Sequence, residues 1–125
     1  MSVLVDTSVW LDHFRRANAA LVHLVTRDQA LTHPMVVVEL ACGTPPAPRT
    51  KTLGDMALLG SVRQATLDEV QAFIERERLY GLGCGLVDLV LLCSVLITPN
   101  TRLWTMDKRL HDLAARFDVS YEPAH

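Results

Sequence analysis

Residues 86–97 form a run of twelve that is apolar throughout except for Asp88 and the small Ser94. It is long enough for about three helical turns and falls short of the roughly 20 residues needed to cross a bilayer. Such a segment has to be covered by the rest of a globular fold, and Asp88 goes with it. An ionised carboxylate is not taken cheaply into apolar surroundings; it finds a cation, accepts a proton or points into a wet cavity. The residues three and four positions away are Cys84, Gly85, Leu91 and Leu92, so no lysine or arginine on its own helix pairs with it.

With 125 residues, half of them apolar and 21% charged, the chain reads as one soluble domain over residues 1–125 with a real hydrophobic core. A formal net charge of −2 advertises no polyanionic partner, so any attraction for nucleic acid is local or carried by bound cations. Cys42, Cys84 and Cys93 are odd in number and form no CxxC pair, which suits a reducing cytosol better than a disulfide framework or a zinc site. Residues 1–6 have neither a basic segment nor a small-residue cleavage site, so the expectation is a cytoplasmic protein rather than a secreted one.

Strand and helix signals alternate. Residues 3–5, Val-Leu-Val, read as a central strand ending at Asp6. A helix follows to about residue 16, with Val9, Trp10, Leu11 and Phe14 on its apolar face. A second helix spans about 18–27 and a weak strand 30–32. Residues 34–42 are ambiguous: Val36-Val37-Val38 favours a strand, while Pro34 and Gly43 favour a helix, and helix is the reading adopted. Residues 44–48 (Thr-Pro-Pro-Ala-Pro) are a stiff connector before a helix carrying Leu53, Met56, Ala57 and Leu59. Thr66-Leu-Asp-Glu69 is a capping box. After Gly81, Gly83 and Gly85 comes the Asp88 helix, then a strand at 103–105, a helix from Asp107 to about 117, and a last strand at 119–121. This alternation predicts an α/β fold, a three-layer α/β/α sandwich around a mostly parallel sheet.

In open parallel sheets, ligands bind beyond the carboxyl ends of the strands, which is where Asp6 and Asp107 fall. Each also fits a plain N-cap, and Glu39 also fits the wet face of a half-buried helix. Taken together, two acids at strand ends and two on apolar helices would converge on one cleft. Four carboxylates there repel one another, and the natural remedy is one or two hard divalent cations, Mg2+ or Mn2+. Carboxylate-held metal is apparatus for hydrolysing a phosphodiester.

Four segments carry a resemblance: Val3-Leu-Val-Asp-Thr-Ser-Val-Trp10, Pro34 with Glu39-Leu-Ala, Gly83-Cys-Gly-Leu-Val-Asp88, and Leu103-Trp-Thr-Met-Asp-Lys-Arg-Leu110. In this order and at these separations they resemble the four acidic motifs of PIN domains, and more narrowly the VapC-type toxins of bacterial toxin–antitoxin pairs. The likeness runs nearly end to end, and its strength lies in the ordered set. It implies a Mg2+- or Mn2+-dependent endoribonuclease whose acidic quartet is Asp6, Glu39, Asp88 and Asp107. Asp6 and Asp88 would be the principal metal ligands, and Glu39 and Asp107 would complete the pocket. Thr7, Ser8 and Thr105 would orient ligands or water around them. The resemblance also implies an RNA substrate, a VapB-type antitoxin laid along a groove, and a homodimer. Residues 44–48 and the helix after them are the expected groove wall. Leu89 departs from the small residue common after the third acid.

Arg49, Lys51 and Lys108 are candidate phosphate contacts, as are Arg15, Arg16 and Arg109; ordinary solvated charge is the competing reading for each. Gly81-x-Gly-x-Gly85 lacks dinucleotide-site spacing and reads as helix termination. Two other functions compete: a catalytically inactive acidic-pocket binding module, and a phosphatase-like domain using Asp6 covalently. Ser8 stands where the latter needs a second acid.

Overall fold

The computed structural model describes residues 1–123. Its elements run β1 (Ser2–Val5), α1 (Thr7–Arg15), α2 (Ala19–Thr26), β2 (Ala30–Thr32), α3 (Pro34–Cys42), α4 (Arg49–Ala57), β3 (Gly60–Ser61), α5 (Leu67–Glu77), α6 (Leu86–Leu96), β4 (Thr101–Trp104) and α7 (Lys108–Arg116). All strand pairs are parallel, in the order β3-β2-β1-β4. Val3, Leu4 and Val5 have no exposed surface, as expected of a strand with neighbours on both edges and helices over both faces.

The order of strands fixes the layers. From β1 to β2 to β3 the chain steps one way along the sheet, and from β3 to β4 it crosses back past β2 and β1. Because parallel crossovers are right-handed, α1 to α4 cover one face and α5 to α7 the other. The packing agrees: α1 meets α3 and α3 meets α4, while α5 meets α6 and both α6 and α7 meet β4. β1 and β4 are therefore adjacent strands whose following connections leave to opposite faces, and a crevice opens between them at their carboxyl ends.

Local chemistry explains the elements. Asn18 caps α2 by accepting from the Leu21 amide, and His33 caps α3 through Nδ1, which accepts from Met35 N. The capping box at Thr66 and Glu69 is present with both of its bonds. In α6 every residue from Leu89 to Val95 is buried, so the apolar run is the central helix of its layer. Trp10 and Trp104 are buried and serve the core.

Two expectations need correction. Gly60 and Ser61 form an edge strand beside β2; two residues of low strand propensity give no sequence signal and are recruited by pairing alone. Residues 119–121 make one parallel bridge, Leu103 with Ser120. Leu103 N donates to Val119 O and Tyr121 N to Leu103 O, so the segment touches the sheet edge without becoming a strand. β4, expected at 103–105, runs instead from Thr101 to Trp104.

Candidate active site

Asp6 follows β1 and Asp107 follows β4, on either side of the crevice. Asp6 occupies the N-cap position of α1 yet makes no capping bond with its side chain. Instead its Oδ2 accepts two hydroxyls, from Ser8 and from Thr105, each at 2.7 Å. Those hydroxyls in turn accept backbone amides: Ser8 Oγ from Met106 N at 3.0 Å, and Thr105 Oγ1 from Asp107 N at 3.1 Å. The two junctions are thus stitched together through one buried carboxylate. The Asp6 residue is only 6% exposed, and two hydroxyl donors replace the water it has lost.

Asp107 behaves differently. It is exposed, and its Oδ1 accepts from Leu110 N at 3.0 Å, a true helix cap. Asp88 lies in the first turn of α6, half-buried, with Oδ2 accepting from Gly85 N at 3.2 Å. The apolar run suggested an acid deep in a helix; the structure puts it at the helix N-terminus, where the peptide dipoles favour an anion. Glu39 is exposed on α3, and its Oε1 accepts the Thr7 hydroxyl at 2.7 Å. Thr7 therefore serves Glu39, whereas Ser8 and Thr105 serve Asp6.

The four acids share one electrostatic field. Burial pushes the Asp88 carboxyl above the ordinary carboxylate range; the Gly85 amide opposes this, and the charges of Asp6, Asp107 and Glu39 add to the rise. Among the described residues none of the four acids is in an ion pair; such a gathering of like charge is the condition a divalent ion relieves, and an all-oxygen donor set suits a hard one. Among the described residues, no three Asp, Glu, His or Cys side chains stand close enough to grip an ion as they are. The donor chemistry, four carboxylates with hydroxyls beside them, fits a hard metal ion.

Of the candidate phosphate contacts, three are engaged locally. Arg49 donates to the carbonyls of Gly43 and Ala41 at the end of α3. Lys51 pairs with Asp55 at 2.8 Å and Lys108 with Asp112 at 2.7 Å, both at the i,i+4 spacing that sequence alone displays. Cys84, whose thiol is pushed up by burial and by the charges of Asp88 and Asp107, borders the acids and carried no sequence signal beyond its place before Gly85. A separate apolar trough lies between α1, α2 and α4, lined by Trp10, Leu21, Val22, Val25, Met56 and Leu59 among others. The helix after the proline-rich connector contributes to it; the connector does not.

A parallel sheet in this order, helices on both faces and acids collected at the β1–β4 crevice define a PIN-like α/β/α domain. No protein-family model matches the chain. It is similar to Ribonuclease VapC32 of Mycobacterium tuberculosis, in strain CDC 1551 / Oshkosh and in strain ATCC 25618 / H37Rv. Each is 45% identical over 118 residues, covering 94% of this chain and 94% of the relative. The chain belongs to the VapC family of ribonucleases.

Proposed function

We propose that this protein is the endoribonuclease toxin of a type II toxin–antitoxin pair, a single domain that hydrolyses RNA phosphodiesters to 5′-phosphate and 3′-hydroxyl ends. The observation that carries the reading is the state of Asp6: a strand-end carboxylate withheld from helix capping and aimed by two hydroxyls at the crevice it shares with Asp88, Glu39 and Asp107. Likeness to a relative named a ribonuclease supports it.

Asp6 and Asp88 would hold Mg2+ or Mn2+, with Glu39 and Asp107 completing the pocket. Bound there, such an ion supplies a water of lowered pKa and positive charge for the departing oxygen. Ser8 and Thr105 keep the Asp6 carboxylate from rotating, and Thr7 does the same for Glu39. The Gly85 amide fixes the rotamer of Asp88. These uncharged donors hold the acids in place while leaving lone pairs for an ion.

A VapB-type antitoxin is the partner that the family supplies. The apolar trough between α1, α2 and α4, with Val22 and Val25 more than 40% exposed, suits the apolar face of an antitoxin helix. Two copies of the chain would form the working unit. No described helix is long and apolar enough to cross a membrane.

Incubating the purified protein and RNA with Mn2+, with and without chelator, tests the activity. Cleavage that needs the metal and disappears in Asp88→Asn supports the reading. Wild-type rates from Asp88→Asn overturn the site, and RNA left whole by the native protein leaves an acidic-pocket binding module in its place.

A further inference from the structure

Beside the acids lies a cavity of about 270 Å3, lined by Leu82, Cys84, Arg109, Asp112, Leu113 and Arg116. Its two arginines are not equivalent. Arg116 is held, donating to Glu77 O at 3.2 Å with its guanidinium 5.5 Å from the Phe117 ring centre. The carboxylate of Asp112 is taken by Lys108. Arg109 forms no ion pair among the described residues.

Arg109 is nevertheless placed. A β-carbon built on Gly83 would lie 2.7 Å from Nη1 of Arg109 and 2.9 Å from its Cδ. The side chain therefore lies flat on backbone that only a glycine leaves bare. Gly83 has a φ of +86°, so the backbone itself calls for glycine there, and the bare Cα leaves the place that the Arg109 side chain takes. Gly83 lies two residues before Gly85, whose amide holds Asp88, and Arg109 lies two residues after Asp107, which puts this guanidinium at the rim of the acidic cleft. A free, pre-positioned planar fork on the border of a site that repels phosphate is suited to a phosphodiester held bidentately. With a net charge of −2, attraction for a polyanion has to come from cations placed locally.

We propose that Arg109, laid across Gly83, anchors a phosphodiester flanking the scissile one and so positions RNA over the acidic cleft. This rests on the ribonuclease reading above. The Asp112 carboxylate is turned to Lys108, and two arginines against one acid leave the pocket lining net positive. Leu82, 46% exposed on the cavity wall, offers apolar surface for the attached ribose.

The test has two arms. In cleavage assays with Mn2+, Arg109→Ala should raise KM about tenfold, the loss of one charge-assisted phosphate contact, with kcat within about twofold. Arg109→Lys should recover part of the loss. In the second arm, binding of a single-stranded oligoribonucleotide is followed by anisotropy on the Asp88→Asn background across a salt series. Removing Arg109 should weaken binding and flatten the slope of log K against log salt by about 0.7. Arg27→Ala, the same charge change at the amino ends of the strands and so at the far end of the sheet from the cleft, should leave the slope unchanged. An unaltered KM and slope in Arg109→Ala overturn the anchor, as does a fall in kcat at constant KM or a lack of RNA affinity in the Asp88→Asn protein. If the native protein cuts no RNA yet the slope still responds to Arg109, the ribonuclease reading fails and the anchor stands.

Discussion

The junctions after β1 and after β4 are alike in layout and opposite in chemistry. Each follows a buried strand, and each places an aspartate at the N-cap of the next helix. At Asp107 the carboxylate does the ordinary job and accepts the amide three residues on. At Asp6 it does not, because Ser8 from its own turn and Thr105 from across the crevice reach it first. An N-cap aspartate is available for chemistry when better donors than the helix amides surround it. The neighbouring hydroxyls decide between the two fates.

That contrast is most exposed to Asp6→Asn. It should lower kcat by more than about a hundredfold with a melting temperature close to that of the native protein, because no helix cap is lost. A melting temperature that drops as far as the activity would make Asp6 structural and erase the distinction. Thr105→Val comes next. Removing the hydroxyl strips a donor from a buried carboxylate and an acceptor from the Asp107 amide, costing about 1–3 kcal/mol of stability and about tenfold in kcat. Denaturant unfolding and steady-state kinetics read the two together.

Asp107→Ala should show the reverse of Asp6→Asn in stability, a loss of about 1 kcal/mol from an uncapped α7, or roughly 4 °C in melting temperature. Asp107→Asn, which can still cap, should recover most of it. Smallest is Asp88→Asn in chelator. The folded-state pKa of Asp88 is raised, so the folded protein binds its proton more tightly than the unfolded chain. Wild-type stability therefore falls as pH climbs from about 3.9 through the raised value. Asp88→Asn should lack that decline and melt no lower than wild type at neutral pH. A clearly lower midpoint would mean that the Gly85 bond, not the repulsion, dominates there.

Much of this was readable in the residues. The apolar triplet of β1, the capping box at Thr66 and the stiff segment at 44–48 act locally, and local rules find them. β3 could not be found so, since Gly60 and Ser61 extend only because β2 lies alongside. Conversely Val119 and Tyr121 favour a strand, yet only Ser120 comes into register. In the site, acid identity and order were visible, but the division of labour was not. Which hydroxyl serves which acid depends on a contact spanning 99 positions between Thr105 and Asp6. Lys51 and Lys108 were readable as local pairs from their spacing to Asp55 and Asp112, whereas the seat of Arg109 on Gly83 needs the α5–α6 loop and α7 brought together.

Asp88 stands in the first turn of a helix whose next seven residues, Leu89 to Val95, are all buried. Amide protons there should exchange with deuterium only when the whole molecule opens. The acid that begins this helix is therefore bolted to the slowest-breathing part of the protein. Heat or denaturant mild enough to spare the fold should leave that wall of the cleft standing.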